Sequence, residues 1–336
     1  MTEMPSWLVE ALDRRLEGRG RGDLHERSAR ISTAYRAGRA SSGVVKGEGD
    51  ALAYATARMP ATFAAATAVF TEVEALLPGF HPSRICDAGA GPGTAGFAAL
   101  HLWPDADALV QVDHNPAFLA IGRDFASPLA VELSQRQAEL SALPFDLGRF
   151  DLTILGYVLA EFDRAGAGEL AARLFAATDG LLVIIEPGTP EGYARILAAR
   201  GRLVADGAHI LAPCPHEKNC PLVAPDWCHF SERLPRRRAH MAVKGAALPF
   251  EDERFSYLVA ARQGFAETAR LPRIIAPPEA GKAAIAFKLC RPEGTSVMTS
   301  VARRDKAAFA AARRLRWGDR FATPSAVDGK GESETL

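Results

Sequence analysis

Apolar residues recur at helical spacing over the first eighty positions, then give way to short apolar runs separated by helical stretches. Ser6 is predicted to cap a helix running through Trp7, Leu8, Leu12 and Leu16. A second helix is predicted over about 24–37, and Gly and Ser near 41–50 break the pattern. Pro60 is expected to open a helix through Phe63, Val69, Phe70, Val73 and Leu76 that stops at Pro78 and Gly79.

From Arg84 the period changes. Short strands are predicted at 84–87, 108–112, near 131–138, at 151–155 and at 181–185. Helices are predicted between them, from Thr94 to His101, from Pro116, over 164–178 and from Pro190 to Leu203. Strands alternating with helices imply parallel βαβ units with right-handed crossovers. Residues 210–250 interrupt this regularity. Phe255–Ala261 and Ala283–Leu289 read as a terminal antiparallel pair, Val297–Val301 as a further strand and Asp305–Leu315 as a basic helix. The expected organisation is a helical region (1–80), an α/β Rossmann-like core (81–209), a cysteine-rich insertion (210–250), terminal strands with a basic helix (251–318) and a disordered tail (319–336).

Among the glycines, the run Asp87-Ala88-Gly89-Ala90-Gly91-Pro92-Gly93-Thr94 follows the first strand and opens a helix. Glycine lets the backbone turn sharply and approach a ligand. Asp113 ends the second strand, where a carboxylate can accept hydrogen bonds from two ribose hydroxyls. Dinucleotide enzymes and S-adenosylmethionine methyltransferases share this order. Three features favour the second: acidic Asp87 suits an ammonium group, the glycines are spaced G-x-G-x-G, and an antiparallel pair closes the sheet. The predicted cofactor contacts are Asp87, Gly89, Gly91, Gly93 and Asp113. Tyr157 and Glu161, after the fourth strand, lie where a methyl acceptor would approach, but no catalytic base is assigned.

Five cysteines occur in the 336 residues. Cys86 lies inside a predicted strand and reads as a packing residue. Cys214, Cys220 and Cys228 fall in one proline-rich polar stretch, and Cys290 follows a predicted strand. Four thiolates can complete a zinc site or hold an iron–sulfur cluster. Zinc knuckles use tighter spacing than the five and seven residues found between the first three cysteines, so sulfur-only ligation suits a 4Fe–4S cluster, with zinc as the alternative. His216 and His229 are expected as hydrogen-bond donors around the site or as phosphate contacts.

The formal net charge of zero hides an asymmetry: residues 1–191 carry a net −9 and residues 192–318 a net +11. A basic half carrying the cysteines points to a polyanion, most simply RNA. Arg236, Arg237, Arg238 and Lys244 are the predicted RNA contacts, with Arg303, Arg304, Arg313, Arg314 and Arg316 as a second set. No apolar run reaches the ~18 residues that span a bilayer. The first ten residues carry Glu3 and Glu10 and match neither a secretory signal nor an acid-poor transit peptide, so a reducing cytosol is expected.

The segments Glu186–Pro190, Ala212–Glu217, Cys220–Leu222, Asp226–Phe230 and Phe255–Tyr257 resemble the ribosomal small-subunit-associated methyltransferase-like family, which includes mitochondrial ribosome assembly factors and bacterial relatives. The resemblance covers roughly residues 30–318. It implies a class I methyltransferase fold, a role with small-subunit ribosomal RNA, and a 4Fe–4S cluster on Cys214, Cys220, Cys228 and Cys290. With the cytosolic expectation, it implies a bacterial cytoplasmic member. Four readings stay open: an S-adenosylmethionine-dependent ribosomal RNA methyltransferase, an assembly factor that kept the fold without the activity, a zinc-stabilised methyltransferase of a small molecule or protein, and a redox sensor with an exposed, labile cluster.

Overall fold

The computed structural model describes residues 2–36, 43–142, 148–265 and 270–322. Three helices lead: α1 (Ser6–Leu16), α2 (Arg21–Arg36) and α3 (Glu48–Leu76). Then follow β1 (Arg84–Ala88), α4 (Thr94–Leu102), β2 (Ala108–Asp113), α5 (Pro116–Ala126), β3 (Glu132–Gln137) and β4 (Phe150–Gly156). The core continues with α6 (Arg164–Ala176), β5 (Thr178–Pro187), α7 (Pro190–Ala205), β6 (His209–Ala212), β7 (Phe230–Pro235), α8 (Arg238–Lys244) and β8 (Phe250–Ala261). The chain ends with β9 (Arg273–Ile274), β10 (Glu279–Ala280), β11 (Ala284–Cys290), β12 (Ser296–Ala302) and α9 (Lys306–Ala312).

The main sheet has the order β3-β2-β1-β4-β5-β8-β6, with β7 also paired to β8. Strands β1 to β5 are parallel, which needs crossover connections rather than tight hairpins between them. Strand β8 runs antiparallel to β5, β6 and β7. The central strands are buried on both faces, which is why they read as continuous apolar runs. One face packs on α3 and α4 through Phe63, Phe70 and Phe97, the other on α6 and α7 through Leu170, Leu174 and Leu203.

Four expectations are corrected. Helix α3 does not begin at Pro60: it starts at Glu48 and carries Pro60 in its interior. A proline costs a helix one hydrogen bond, but α3 is buried along most of its length, including Ala51, Ala55, Met59 and Phe63, and tertiary packing outweighs local propensity. The pair Phe255–Ala261 and Ala283–Leu289 does not form. Strand β8 joins the main sheet, while β11 pairs with β9, β10 and β12 in a separate four-stranded sheet. Burial explains the split: β8 is covered on both faces, β11 on alternate residues. The segment 210–250 is not wholly an insertion, because β6 and β7 are both strands of the main sheet; the cysteine-bearing part that loops out is 213–229. Finally, residues 319–321 pack on the second sheet, with Phe321 buried and Phe321 N–H donating to Pro272 O, so the tail does not start at 319. The rest of the expected tail, 323–336, lies outside the described residues.

Candidate functional site

The glycine turn lies at the carboxyl ends of β1 and β4, where strand order reverses and an open α/β sheet leaves a crevice. Gly89, Gly91 and Gly93 all hold left-handed φ values of 73°, 53° and 87°. A Cβ at Gly89 would stand 2.3 Å from Val158 Cγ2, and one at Gly93 would stand 2.2 Å from Gln111 Nε2. Those two glycines serve the protein's own close packing. A Cβ at Gly91 would meet nothing within 4 Å, so this glycine faces open space.

Asp113 clasps the turn. Its Oδ2 accepts from Gly91 N–H at 2.8 Å and its Oδ1 from Asn115 N–H at 2.8 Å. Each oxygen keeps a lone pair for a ribose hydroxyl. Burial pushes its carboxyl up, and the two backbone N–H groups pull against that. Asp87 is 1% exposed and accepts from Gly96 N–H at 2.8 Å. Burial raises its pKa to about 7, a penalty that a nearby ammonium would offset. The predicted cofactor residues Asp87, Gly89, Gly91, Gly93 and Asp113 are therefore brought to one crevice. The N-terminal region covers its rim: Asn115 Nδ2 donates to Val45 O at 2.9 Å, and Tyr54 of α3 stacks tilted on Phe118.

Sequence reasoning missed Glu186, at the end of β5. It is fully buried, accepts from Leu159 N–H at 2.8 Å and leaves Oε2 without a hydrogen-bond partner. Burial pushes its carboxyl to about 8, so it is protonated at neutral pH. A carboxylate closing a run of five apolar residues was the available signal.

The four cysteines come from two places: Cys214, Cys220 and Cys228 from the loop between β6 and β7, and Cys290 from the end of β11 in the second sheet. All four line one cavity of about 30 Å³, shared with Tyr193 and Arg200 of α7. All are free thiols. Among the described residues, no group of three or more His, Cys, Asp or Glu side chains is gathered tightly enough to hold a single metal ion. The expected metal-binding insertion is thus not formed as an ion site. Tyr193 Oη lies 3.0 Å from Cys220 Sγ, and His216 Nε2 lies 3.4 Å from Cys290 Sγ. Burial pushes the Cys290 thiol up to about 12 and the Cys228 thiol well above its usual value. Cys86 is apart from them, buried in β1 as expected.

Arg200 gives the cavity its sign. It is 5% exposed, donates through Nη2 to the carbonyls of His216 and Lys218, leaves Nε unpartnered, and makes no ion pair among the described residues. A buried cation without a carboxylate calls for another anion nearby. Arg273 is buried too, bonded to Pro213 O at 3.1 Å, Gly318 O at 2.7 Å and Glu72 at 2.6 Å.

The predicted RNA contacts are placed unevenly. Arg236 and Lys244 both pair with Glu251 in a half-buried cluster, and Arg237 pairs with Asp13 on the surface. Arg238 is exposed and makes no ion pair among the described residues. The same holds for Arg303, Arg304, Arg313, Arg314 and Arg316 around α9.

A sheet ordered 3-2-1-4-5, closed by an antiparallel strand and crossed by a glycine turn at its switch point, is the architecture of class I S-adenosylmethionine-dependent methyltransferases. Among solved structures, magnesium protoporphyrin IX methyltransferase from Synechocystis is a distant likeness, 14% identical with a TM-score of 0.41, covering 60% of this chain and 84% of that one. Strand order, not this likeness, defines the class. The model of the family described as mitochondrial small ribosomal subunit Rsm22 matches residues 48–322, and the chain belongs to that family. It is 29% identical over 309 residues to the human mitochondrial ribosome assembly protein METTL17, covering 83% of this chain and 64% of that one. It is 26% identical over 338 residues to the Schizosaccharomyces pombe mitochondrial Rsm22-cox11 tandem protein 2, covering 85% of this chain and 45% of that one. The chain spans less than two thirds of the length of these curated relatives.

The family corrects one expectation. A bacterial cytoplasmic location rested on the composition of the first ten residues; the family and these relatives are mitochondrial, and the family match begins well beyond that segment. Among the described residues, no helix is long and apolar enough to cross a membrane.

Proposed function

We propose that this chain is an S-adenosylmethionine-binding, 4Fe–4S-containing methyltransferase-like protein that works on the small ribosomal subunit, in ribosomal RNA methylation, subunit assembly or both. The observation that carries the reading is the pairing of two sites in one chain: a glycine turn clasped by Asp113 beside buried Asp87, and four cysteines around a cavity that also holds buried Arg200, which has no ion-pair partner among the described residues. The relatives named as ribosome assembly and small-subunit proteins support the ribosomal part.

The cysteine cavity fits a cluster better than zinc. Four sulfurs on one zinc at about 2.3 Å stand about 3.8 Å apart, and among the described residues no three such side chains are placed to hold one ion. A cluster of several atoms accepts a wider set of ligands. Its net negative charge, with four thiolates, matches buried Arg200 and Arg273. When bound, it would be held by Cys214, Cys220, Cys228 and Cys290 and would join the 213–229 loop to the second sheet.

At the crevice, a bound cofactor would supply a methyl group on a sulfonium. The residues of this chain would hold it: Asp87 facing the ammonium, Asp113 the ribose hydroxyls, and Gly91 leaving room beside them. Methyl transfer can proceed largely by in-line positioning, so no base is invoked.

RNA contact falls first to the exposed arginines. Arg238 and the set around α9 carry charge without an ion-pair partner among the described residues, and Arg237 can exchange its exposed partner Asp13 for a phosphate at little cost. Arg236 and Lys244 would act from behind them, through Glu251.

Anaerobic purification, followed by iron, sulfide and zinc analysis and by S-adenosylmethionine titration, tests the reading. About four irons and four sulfides per chain, with cofactor binding abolished by Asp87→Ala, are expected. Stoichiometric zinc without iron, or a wild-type chain that does not bind the cofactor, defeats the corresponding half.

A further inference from the structure

Tyr157, directly after β4, has φ +61°, and among the described residues it is the one non-glycine in the left-handed region. A bulky residue held there is strained and persists only where its surroundings over-determine it. They do so here. Tyr157 N–H donates to Ile185 O at 2.7 Å, and the next turn is pinned by Leu159 N–H on Glu186.

The strain has a visible result. Along β4, Leu152 and Ile154 face α3, and Leu155 faces the α6–α7 side. Simple alternation would send residue 157 with Leu155. Instead Tyr157 packs on the α3 side, and Val158 takes the other face over Gly89. There the Tyr157 phenol donates to Glu253 Oε1 at 2.9 Å. Glu253 lies on β8 two residues before Phe255, which pairs with Pro187 at the end of β5, so it projects past the carboxyl edge of the parallel strands. Arg58 of α3 approaches the same oxygen at only 4.0 Å, a loose contact for a half-buried guanidinium. Tyr54, one turn before Arg58, lies within electrostatic reach of Arg58, Asp113 and Glu253, which joins this group to the ribose-binding end of the cofactor crevice.

We propose that Arg58, Tyr157 and Glu253 form the acceptor pocket, and that it receives an unstacked RNA base. Glu253 accepts from an N–H on the base edge, Arg58 donates to a neighbouring ring nitrogen or carbonyl, and Tyr157 offers a ring face for stacking. This deepens the proposed function and rests on it. A carboxylate beside a guanidinium reads a donor next to an acceptor, a pattern that base edges present and a phosphate does not.

The test is binding of a short single-stranded RNA in which one abasic nucleotide is moved through every position in turn. It is measured with the wild type, Tyr157→Phe, Arg58→Gln and Glu253→Gln in the presence of S-adenosylhomocysteine. In the wild type, one position should show a loss of about tenfold when the base is removed, the scale of one stacked base. In Arg58→Gln and Glu253→Gln that penalty should fall to about threefold or less, while affinity for the abasic RNA is unchanged. Tyr157→Phe keeps the ring and should retain most of it. A merely structural role would lower affinity for both RNAs and leave their ratio alone. The same penalty in all proteins, or no sensitive position in the wild type, overturns the proposal. Loss of S-adenosylmethionine binding by the wild type, titrated without RNA, instead defeats the cofactor reading alone.

Discussion

At the scale of residues, the glycine turn separates two roles that one motif conceals. Gly89 and Gly93 are wedged against Val158 and Gln111, whereas Gly91 opens onto empty space. Gly91→Ala should cost about 1 kcal/mol, the penalty for a left-handed alanine, and should weaken cofactor binding. Gly89→Ala adds a clash at 2.3 Å and should destabilise by several times more, about 3 kcal/mol. Urea midpoints of the two variants measure the difference. Asp87 and Glu186 make a pH prediction at the same scale. Burial raises their folded values to about 7 and about 8, above those of the unfolded chain. The folded state therefore binds more protons, so their contribution to stability is complete below about pH 4 and is lost as pH rises through 7 and 8. Cofactor affinity should move the other way and fall as Asp87 is protonated below pH 7. Thermal midpoints and cofactor titrations from about pH 5.5 to 8.5 on wild type and Asp87→Asn check both; Asp87→Asn should flatten the lower part of the stability slope.

At the scale of elements, periodicity predicts β1, β2, β4, β5 and the helices between them, because each buries a face whose spacing is local. It fails where a partner far along the chain decides. Pro60 marks a helix start by local rules, yet α3 runs through it against the buried sheet. The apolar runs of β8 and β11 look alike in sequence, and only their neighbours send one to the main sheet and the other to the second. Arg273 shows how the two are joined: it reaches from β9 to Glu72 on α3, to Pro213 after β6 and to Gly318. Arg273→Ala leaves a part-buried carboxylate and two carbonyls without their donor and should cost about 3 kcal/mol or more. Glu72→Gln, which keeps an acceptor, should cost less. Equilibrium urea unfolding of both variants tests the order.

At the scale of the whole molecule, the charge asymmetry read along the chain is partly undone by folding. The basic half pairs Arg237 with Asp13 and Arg273 with Glu72 of the acidic half, and Arg233 with nearby Asp252. Arg238 and the patch around α9 are left exposed, without an ion-pair partner among the described residues. Replacing Arg303, Arg304, Arg313 and Arg314 by Ala should lower the salt slope of single-stranded RNA binding by about 0.7 for each phosphate no longer neutralised. Replacing Arg236 alone should change stability more than slope. A salt series of RNA titrations separates the two. If the proposed cluster joins the 213–229 loop to the second sheet, removing iron from the anaerobic protein should speed amide exchange in 213–229 and at Cys290 on β11, and leave β1, β4 and β5 protected.

The parallel α/β core and the glycine turn with Asp87 and Asp113 follow from residue order alone, since each is carried by local spacing and residue chemistry. Other features exist only once the chain has folded: the arrival of Cys290 from a second sheet, the shaping of the crevice by Glu186 and Tyr157, and the sorting of arginines into paired and exposed. Those depend on pairings between residues as far as 224 positions apart, and such partners are chosen by burial and topology rather than by any pattern along the chain.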